Sequence, residues 1–223
     1  MHSKELHRKV CSISAFDLDQ TLFSGNSSYL FCRYLCRKKY FSFGDLIFII
    51  GCNIRCSLGF LSVEELHHKA FKRLFKGRPS STINQWIEDF LDENFESLLY
   101  SPAINKLKSA QESGHLTVIL SSSPNFLVGP IAARLKVSRW KSTEYAVDND
   151  QKFCRIAKLL LGGGKASLLN EIALQYGIST QKIHAYSDSH LDLPFLMAAG
   201  NAYGVKPNRK LRAICQKNEW PII

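Results

Sequence analysis

The sequence lacks any apolar run of the roughly 18 residues that a membrane-spanning helix needs. Residues 10–16 are mostly apolar, but Asp17 and Asp19 interrupt that stretch before it could serve as a signal peptide. The apolar stretch around residues 46–50 is also too short to cross a bilayer. Internal repeats and low-complexity tracts are absent as well. These absences predict a globular protein of the cytoplasm.

The sequence also lacks the even cysteine set of a disulfide framework. Its seven cysteines are an odd number and lie scattered through apolar stretches, a distribution typical of reduced, packed thiols. Cys32 and Cys36 are four residues apart on a predicted helix, and so are Cys52 and Cys56. The two pairs could be assembled into a zinc site, but structural zinc ligands are usually spaced more closely. Packing accounts for these residues.

Acidic residues are scarce, with 19 Asp and Glu against 29 Lys and Arg, a formal net charge of +10. Such an excess favours nucleic acids, anionic membranes or anionic substrates as partners. The basic residues are spread along the chain, and no nucleic-acid motif is present. We therefore predict a solvated basic surface and no nucleic-acid partner. The group Arg33, Arg37, Lys38 and Lys39 is the one patch that could face an anionic membrane.

The order of periodic segments predicts an α/β fold. Residues 10–16 indicate a buried strand that ends at Asp17, and residues 27–90 have helical spacing without a comparable strand signal. Strands and helices then alternate, which favours a doubly wound, mainly parallel sheet with an inserted helical segment. Beyond the insertion we predict strands at 116–120, 182–186 and 201–205, helices at 101–113, 125–135, 165–176, 193–199 and 208–218, and a hairpin of 142–147 with 152–156.

Polar residues follow several of these strands. Asp17 and Asp19 stand two apart in the sequence DLDQT, directly after the first strand. Carboxyl ends of parallel strands are where ligands bind, and residues two apart on an extended segment point the same way. Such a pair can supply a nucleophile, a proton-transfer group and ligands for a hard cation. Aspartate also fills turns and caps, so the pair alone is weak evidence.

Three further motifs come later in the chain. The strand at 116–120 runs into SSSP, starting at Ser121, which could form an anion cradle or an ordinary turn and helix cap. The glycine run before Lys165 does not fit a P-loop, because Ala166 stands where the hydroxyl belongs. Asp188 and Asp192 follow the strand at 182–186, suited to metal binding, although Asp192 could also cap the next helix.

The four motifs in this order resemble the haloacid dehalogenase superfamily. The similar branch is subfamily IB, the phosphoserine-phosphatase-like enzymes, which have a Rossmann-like core and a helical C1 cap inserted after the first motif. The resemblance implies a catalytic core of residues 1–22 and 95–223 and a specificity cap of residues 23–94. It further implies a Mg²⁺-dependent phosphomonoester hydrolase that works through an aspartyl-phosphate.

The resemblance also assigns roles to single residues. Asp17 would be the nucleophile, Asp19 the general acid and base, and Thr21 the group that orients Asp19 and contacts the phosphate. Ser121, Ser122 and Lys165 would hold the phosphoryl oxygens. Asp17, the Asp19 carbonyl and Asp188 would bind Mg²⁺, and Asp192 would support this site or orient Lys165.

This chain departs from the phosphoserine-specific pattern in two places. Asn26 stands where those enzymes carry an acidic residue for the substrate's ammonium group, and Ser189 and Leu191 replace a glycine and an asparagine of the last motif. Phosphoserine is therefore a doubtful substrate. A small or lipid-linked phosphate remains open, as do a phosphotransferase or mutase of the same fold and a catalytically silent binding protein.

The predicted cap leaves alternatives open too. Residues 41–60 are apolar nearly all round, which fits a buried helix pair, an apolar pocket or a surface in peripheral contact with a membrane. Arg55 could hold a substrate anion or lie on the surface. His67 and His68 are expected to be surface and packing residues, since adjacent helical positions do not face one way. The oligomeric state is open.

Overall fold

One sheet positions every motif of the chain. The computed structural model describes residues 11–223, and within them six strands form this sheet: β1 (Ile13–Phe16), β2 (Leu116–Pro124), β3 (Arg139–Val147), β4 (Phe153–Lys158), β5 (Ile183–Ser187) and β6 (Asn201–Gly204). Their order is β4-β3-β2-β1-β5-β6. All neighbours are parallel except the β3–β4 hairpin. The predicted α/β class with a mainly parallel sheet is confirmed.

The central strand β1 explains how both faces of the sheet come to be covered. All four of its residues are buried, as expected for a parallel strand packed on both sides. Ile13 and Ala15 belong to one apolar cluster, whereas Phe16 belongs to the other, because successive side chains point to opposite faces. Phe16 pairs with Ile119 of β2 and Tyr186 of β5. The carboxyl ends of three strands therefore meet just beyond Phe16.

The chain between β1 and β2 is helical. Its helices are α1 (Ser27–Arg37), α2 (Phe43–Ser57), α3 (Val63–Ala70) and α4 (Ser80–Leu98), which we call the insertion helices. Ser42 and Ser62 each begin a helix with a reciprocal capping box, so the sequence itself fixes where α2 and α3 start. The last helix, α4, continues without a break past residue 94 to Leu98.

Five α-helices follow the insertion: α5 (Ser101–Glu112), α6 (Asn125–Arg134), α7 (Gly162–Tyr176), α8 (Leu193–Met197) and α9 (Arg209–Lys217). The prediction that a flexible glycine run precedes a helix starting at Lys165 is wrong, since the glycines form the first turn of α7. Val10, with which the first predicted strand begins, lies outside the described residues, and β1 starts at Ile13.

The outer face of α2 is exposed, so the expectation of a buried helix pair over residues 41–60 is wrong on one side. Ile49 and Cys52 are buried, whereas Phe43 is 72% and Ile54 54% exposed. Within the described part of the chain, no helix combines the length and apolar character needed to cross a membrane. Peripheral membrane contact through this apolar face stays a prediction.

Candidate active site

The first motif emerges from the sheet as a tight loop. The Asp17 N–H donates to the Tyr186 carbonyl, with 2.9 Å between nitrogen and oxygen, and so extends the pairing of β1 with β5 by one residue. The chain then turns over Leu18–Leu22, with Gln20 in the left-handed region at φ 60°. A non-glycine residue in that conformation carries backbone strain of about 1–2 kcal/mol. The buried strand and this loop together fix the position of Asp17.

Lys165 joins two of the predicted aspartates. Its Nζ donates to Asp17 Oδ1 and to Asp192 Oδ2, both at 2.7 Å. The Ser187 hydroxyl donates to the same Asp192 oxygen at 2.8 Å. All four side chains are buried, so this network holds the ammonium beside Asp17 in a nearly water-free setting.

Burial and charge shift the pKa of these groups in opposite senses. Burial raises the pKa of Asp17 well above its ordinary value; the Lys165 charge opposes this shift, and Asp192 adds to it. Burial disfavours the charged Lys165, but the Asp17 and Asp192 charges outweigh this effect and raise the pKa of the ammonium. We therefore infer that Lys165 stays charged at neutral pH and supports the ionised form of Asp17.

A cavity of about 300 Å³ opens above this network, lined by Asp17, Asp19, Lys165, Asp188 and Asp192 among others. We call it the carboxylate cavity. Burial, and then the charge of Asp192, raises the pKa of Asp188 to about 7. The chemistry of the donor set suits Mg²⁺, which takes few carboxylates and keeps several waters. A cation beside Asp17 and Asp188 would favour their ionised forms, against the burial and the neighbouring carboxylates that raise both pKa values.

No group of three or more His, Cys, Asp and Glu side chains in residues 11–223 is arranged to hold a metal by itself. This finding goes against a zinc site built from Cys32, Cys36, Cys52 and Cys56. The predicted magnesium set does not need three side chains, because one of its ligands is the main-chain carbonyl of Asp19.

Asp19 is held by groups that the sequence did not single out. Its Oδ1 accepts from the Ser27 N–H at the start of α1, and its Oδ2 accepts from the Ser123 hydroxyl, both at 2.6 Å. The Ser123 Oγ also lies 2.9 Å from the Ser28 Oγ. Helix α1 and the segment after Ser121 thus orient the second carboxylate from two sides. The N-terminal end of α1 favours the negative charge as well.

The structure corrects the role predicted for Thr21. Its hydroxyl is fully buried and has no hydrogen-bond partner among the described residues, so it does not orient Asp19. Of the other residues predicted to bind the phosphate, Ser121 is fully buried and lines neither cavity, whereas Ser122 is partly exposed. Ser121 Oγ accepts from the Ser123 N–H at 3.1 Å, which leaves its own proton available, and Ser122 lines the carboxylate cavity.

A second cavity, of about 260 Å³, adjoins the first. We call it the apolar cavity. Asn26, Val63, Ser122 and Leu191 line both cavities, so the two lie side by side. His67 also lines the apolar cavity, with its Nδ1 3.3 Å from the Tyr145 hydroxyl oxygen. Of the two roles expected for the histidine pair, His67 therefore has the packing role, while His68 is exposed.

Arg55 is placed differently from the histidine. It is exposed and lines neither cavity, so of its two predicted roles the structure supports that of a surface residue.

At Gly162, helix α7 comes very close to the segment that contains Asp188 and Asp192. A Cβ added there would lie 2.1 Å from the Leu191 carbonyl oxygen. Gly162→Ala is therefore expected to lower the free energy of unfolding by about 1–3 kcal/mol and to displace Lys165, one turn further along. Urea unfolding measures the first effect and phosphatase assays the second.

The matched control is Gly163→Ala, where an added Cβ meets nothing within 4 Å. This change should stabilise the protein by about 0.4–1 kcal/mol, because it removes disorder from the unfolded chain. Equal unfolding free energies for the two variants would contradict the close approach.

The chain matches known proteins over nearly all its length. Residues 15–197 match the haloacid dehalogenase-like hydrolase family. The sequence is 26% identical over 213 residues to phosphoserine phosphatase SerB1 of Mycobacterium tuberculosis, covering 93% of this chain and 68% of that protein. Solved structures share the fold as well, and two of them are described next. A protein of unknown function from Bordetella pertussis Tohama I superposes with a TM-score of 0.86 at 22% identity, over 96% of this chain and 98% of that one.

The second structure is a substrate-bound phosphoserine phosphatase complex, with a TM-score of 0.72 at 18% identity, over 96% of this chain and 93% of that one. These matches confirm the prediction of an enzyme of the phosphatase type. Because the family model spans most of the sequence, the chain belongs to the haloacid dehalogenase-like hydrolase family.

Proposed function

We propose that this protein is a Mg²⁺-dependent phosphomonoester hydrolase in which Asp17 becomes transiently phosphorylated. One observation carries the proposal. Lys165 Nζ lies 2.7 Å from both Asp17 and Asp192 at the edge of a cavity that also contains Asp19 and Asp188. A buried nucleophile, an adjacent cation and a second carboxylate on one cavity are the groups that a two-step phosphoryl transfer requires.

In the first step, an Asp17 carboxylate oxygen attacks phosphorus and the bond to the leaving oxygen breaks. Asp19, held by Ser27 and Ser123, delivers a proton to that oxygen. In the second step, Asp19 takes a proton from water, which attacks phosphorus and frees Asp17. The same carboxylate thus acts as acid and then as base, and the product alcohol leaves between the two steps.

The charge on the phosphoryl group is balanced by this chain's own groups and by a metal. Lys165 offsets negative charge beside Asp17, and the hydroxyls of Ser121 and Ser122 contact phosphoryl oxygens. Asp17, Asp188 and the Asp19 carbonyl would hold Mg²⁺. When bound, Mg²⁺ supplies Lewis-acid stabilisation of the charge that builds up on those oxygens.

The insertion helices act as the substrate-specificity cap in this proposal. Asn26 precedes α1 and Val63 begins α3, and both line the carboxylate cavity and the apolar cavity. Helices of the insertion therefore contact whatever group carries the phosphate. In this proposal residues 23–94 form the cap and the rest the core, although α4 itself continues to Leu98.

Magnesium-dependent phosphate release from a panel of sugar, amino-acid, nucleotide and lipid phosphomonoesters tests the proposal. Chelation of the metal should abolish activity and Mg²⁺ should restore it. Mg²⁺ should also raise the unfolding free energy, by about 2.7 kcal/mol at a concentration 100 times its Kd. Transfer to an added alcohol without phosphate release would indicate a phosphotransferase. Folded protein that turns over no ester would indicate a binding protein.

Ser123→Ala tests how Asp19 is oriented. The change removes a 2.6 Å bond to a charged acceptor, and such bonds contribute enough to predict a fall in kcat of about 10- to 100-fold with little change in KM. Steady-state kinetics measures both constants. Ser167→Ala, an exposed serine on α7 that bonds only its own helix, is the control. Unchanged kcat in Ser123→Ala would rule out this role.

A further inference from the structure

The residues that line the apolar cavity, beside the reaction site, indicate what kind of organic group the substrate carries. Among the described residues that line it, none is Asp, Glu, Lys or Arg. Phe31 of α1 and Leu74 of the helical turn Phe71–Phe75, between α3 and α4, line this space together with Phe126 and Leu127 of α6. Both halves of the molecule therefore supply apolar surface, and this part of the described lining holds no Asp, Glu, Lys or Arg to pair with a charged substituent.

Several polar groups that line the apolar cavity bond to the protein itself. Asn53 Nδ2 donates to the Ile49 carbonyl at 2.9 Å, and Asn26 Oδ1 accepts from the Tyr29 N–H at 2.8 Å. His67 contacts the Tyr145 hydroxyl, and burial lowers the pKa of this histidine to about 4. The imidazole is thus neutral at pH 7 and gives no countercharge to an anionic substituent.

Volume and position limit what the cavity holds. About 260 Å³ has room for eight or nine groups the size of a water molecule, at roughly 30 Å³ each. Because Asn26, Val63, Ser122 and Leu191 line both cavities, the apolar cavity lies next to the space that a phosphate at Asp17 would occupy. Placing an ammonium or carboxylate group in this lining would leave a desolvated charge without a partner.

We infer that the substrate is a phosphomonoester of an uncharged, apolar alcohol, with its hydrocarbon part in the apolar cavity. This inference rests on the proposed hydrolase function, and it names the substrate class. Each methylene group that moves from water into the cavity strengthens binding of the substrate. The value of kcat/KM should therefore rise about fourfold per added methylene until the cavity is full.

Hydrolysis of ethyl, butyl, hexyl and octyl phosphate, compared with phosphoserine and phosphoethanolamine, tests the inference. The alkyl series should rise through hexyl phosphate, and both charged esters should be slower than butyl phosphate. A flat alkyl series, or phosphoserine as the fastest ester, would overturn the inference while leaving the hydrolase in place.

Two cavity variants and one control locate the effect. Leu66→Asp puts a charge on the cavity wall and should lower kcat/KM for hexyl phosphate at least about tenfold, with ethyl phosphate changed less than about twofold. Ala70→Leu fills part of the cavity and should shift the best chain to a shorter one. Leu58→Asp alters an exposed leucine of the insertion that does not line the cavity, and it should leave the series unchanged. Equal losses in Leu58→Asp and Leu66→Asp would overturn the placement.

Calorimetry of ethyl-, butyl- and hexylphosphonate binding tests the apolar site separately from the hydrolase function, because phosphonates cannot be hydrolysed. Binding that tightens with chain length, in a protein that hydrolyses no ester, would support this site and overturn the hydrolase. Binding that does not depend on chain length would overturn the site.

Discussion

Asp17→Asn is expected to lower kcat/KM for every phosphomonoester to below about one thousandth of the wild-type value while the fold stays intact. An amide is a poor nucleophile, so the bond between Asp17 and phosphorus does not form. Asparagine keeps the size of the side chain, and its neutrality removes both the cost of burying a charge and the repulsion from neighbouring carboxylates, the two effects that raise the pKa of Asp17. Lys165 keeps its bond to Asp192.

Phosphate release and thermal unfolding, measured on the same preparation, separate chemistry from stability. The control is Asp148→Asn, in the exposed turn of the β3–β4 hairpin, where the carboxylate caps backbone N–H groups. That change should leave kcat/KM unaltered. Activity within tenfold of wild type in Asp17→Asn would show that another group attacks phosphorus.

Lys165→Met should destabilise the protein by about 3–5 kcal/mol and abolish measurable activity. Removing the ammonium leaves Asp17 and Asp192 buried without a countercharge, and breaking a buried pair on one side has about this effect. The thioether chain fills similar space, so the loss reports charge rather than a cavity. Urea unfolding in magnesium-free buffer measures the destabilisation.

The pH dependence of this destabilisation has a definite sign. Without Lys165, the pKa of Asp17 rises further, so the folded variant binds a proton that the unfolded chain has released. Its stability is therefore retained near pH 4 and lost as pH rises toward 7. The control Lys152→Met removes an exposed pair with Asp150 and should change stability by less than about 1 kcal/mol at either pH. A deficit in Lys165→Met that grows toward low pH would contradict the charge argument.

The placement of the main motifs could be predicted because each rests on a local signal. A buried apolar run ending at Asp17, another running into Ser121 and a third ending before Asp188 predict three parallel strands with their carboxyl ends together. The hairpin followed from the turn residues between its strands. The structure brings Asp17, Lys165 and Asp192 within hydrogen-bond distance, although they are far apart in the chain.

The remaining features depend on contacts that no short pattern encodes. Ser123 looks like a turn residue until β2 and α1 bring its hydroxyl to Asp19, 104 residues away. The triple serine run was the only hint that this segment does more than cap a helix. Gly162 is needed because Leu191 approaches it, a contact between segments distant in sequence. Which face of α2 is exposed depends on the elements that pack against this helix. Its sequence is apolar on all sides and therefore could not indicate which face would be buried.

Mass spectrometry of acid-quenched enzyme tests the central claim most directly. The wild-type protein would be mixed with substrate and Mg²⁺, quenched within the first turnover, and digested to map any phosphoryl group. The mechanism predicts one phosphoryl group on the peptide that contains Asp17, absent in Asp17→Asn and absent when the metal is chelated. Continued hydrolysis with no phosphoryl group on that peptide, or with the group on another residue, would contradict the assignment of Asp17 as the nucleophile.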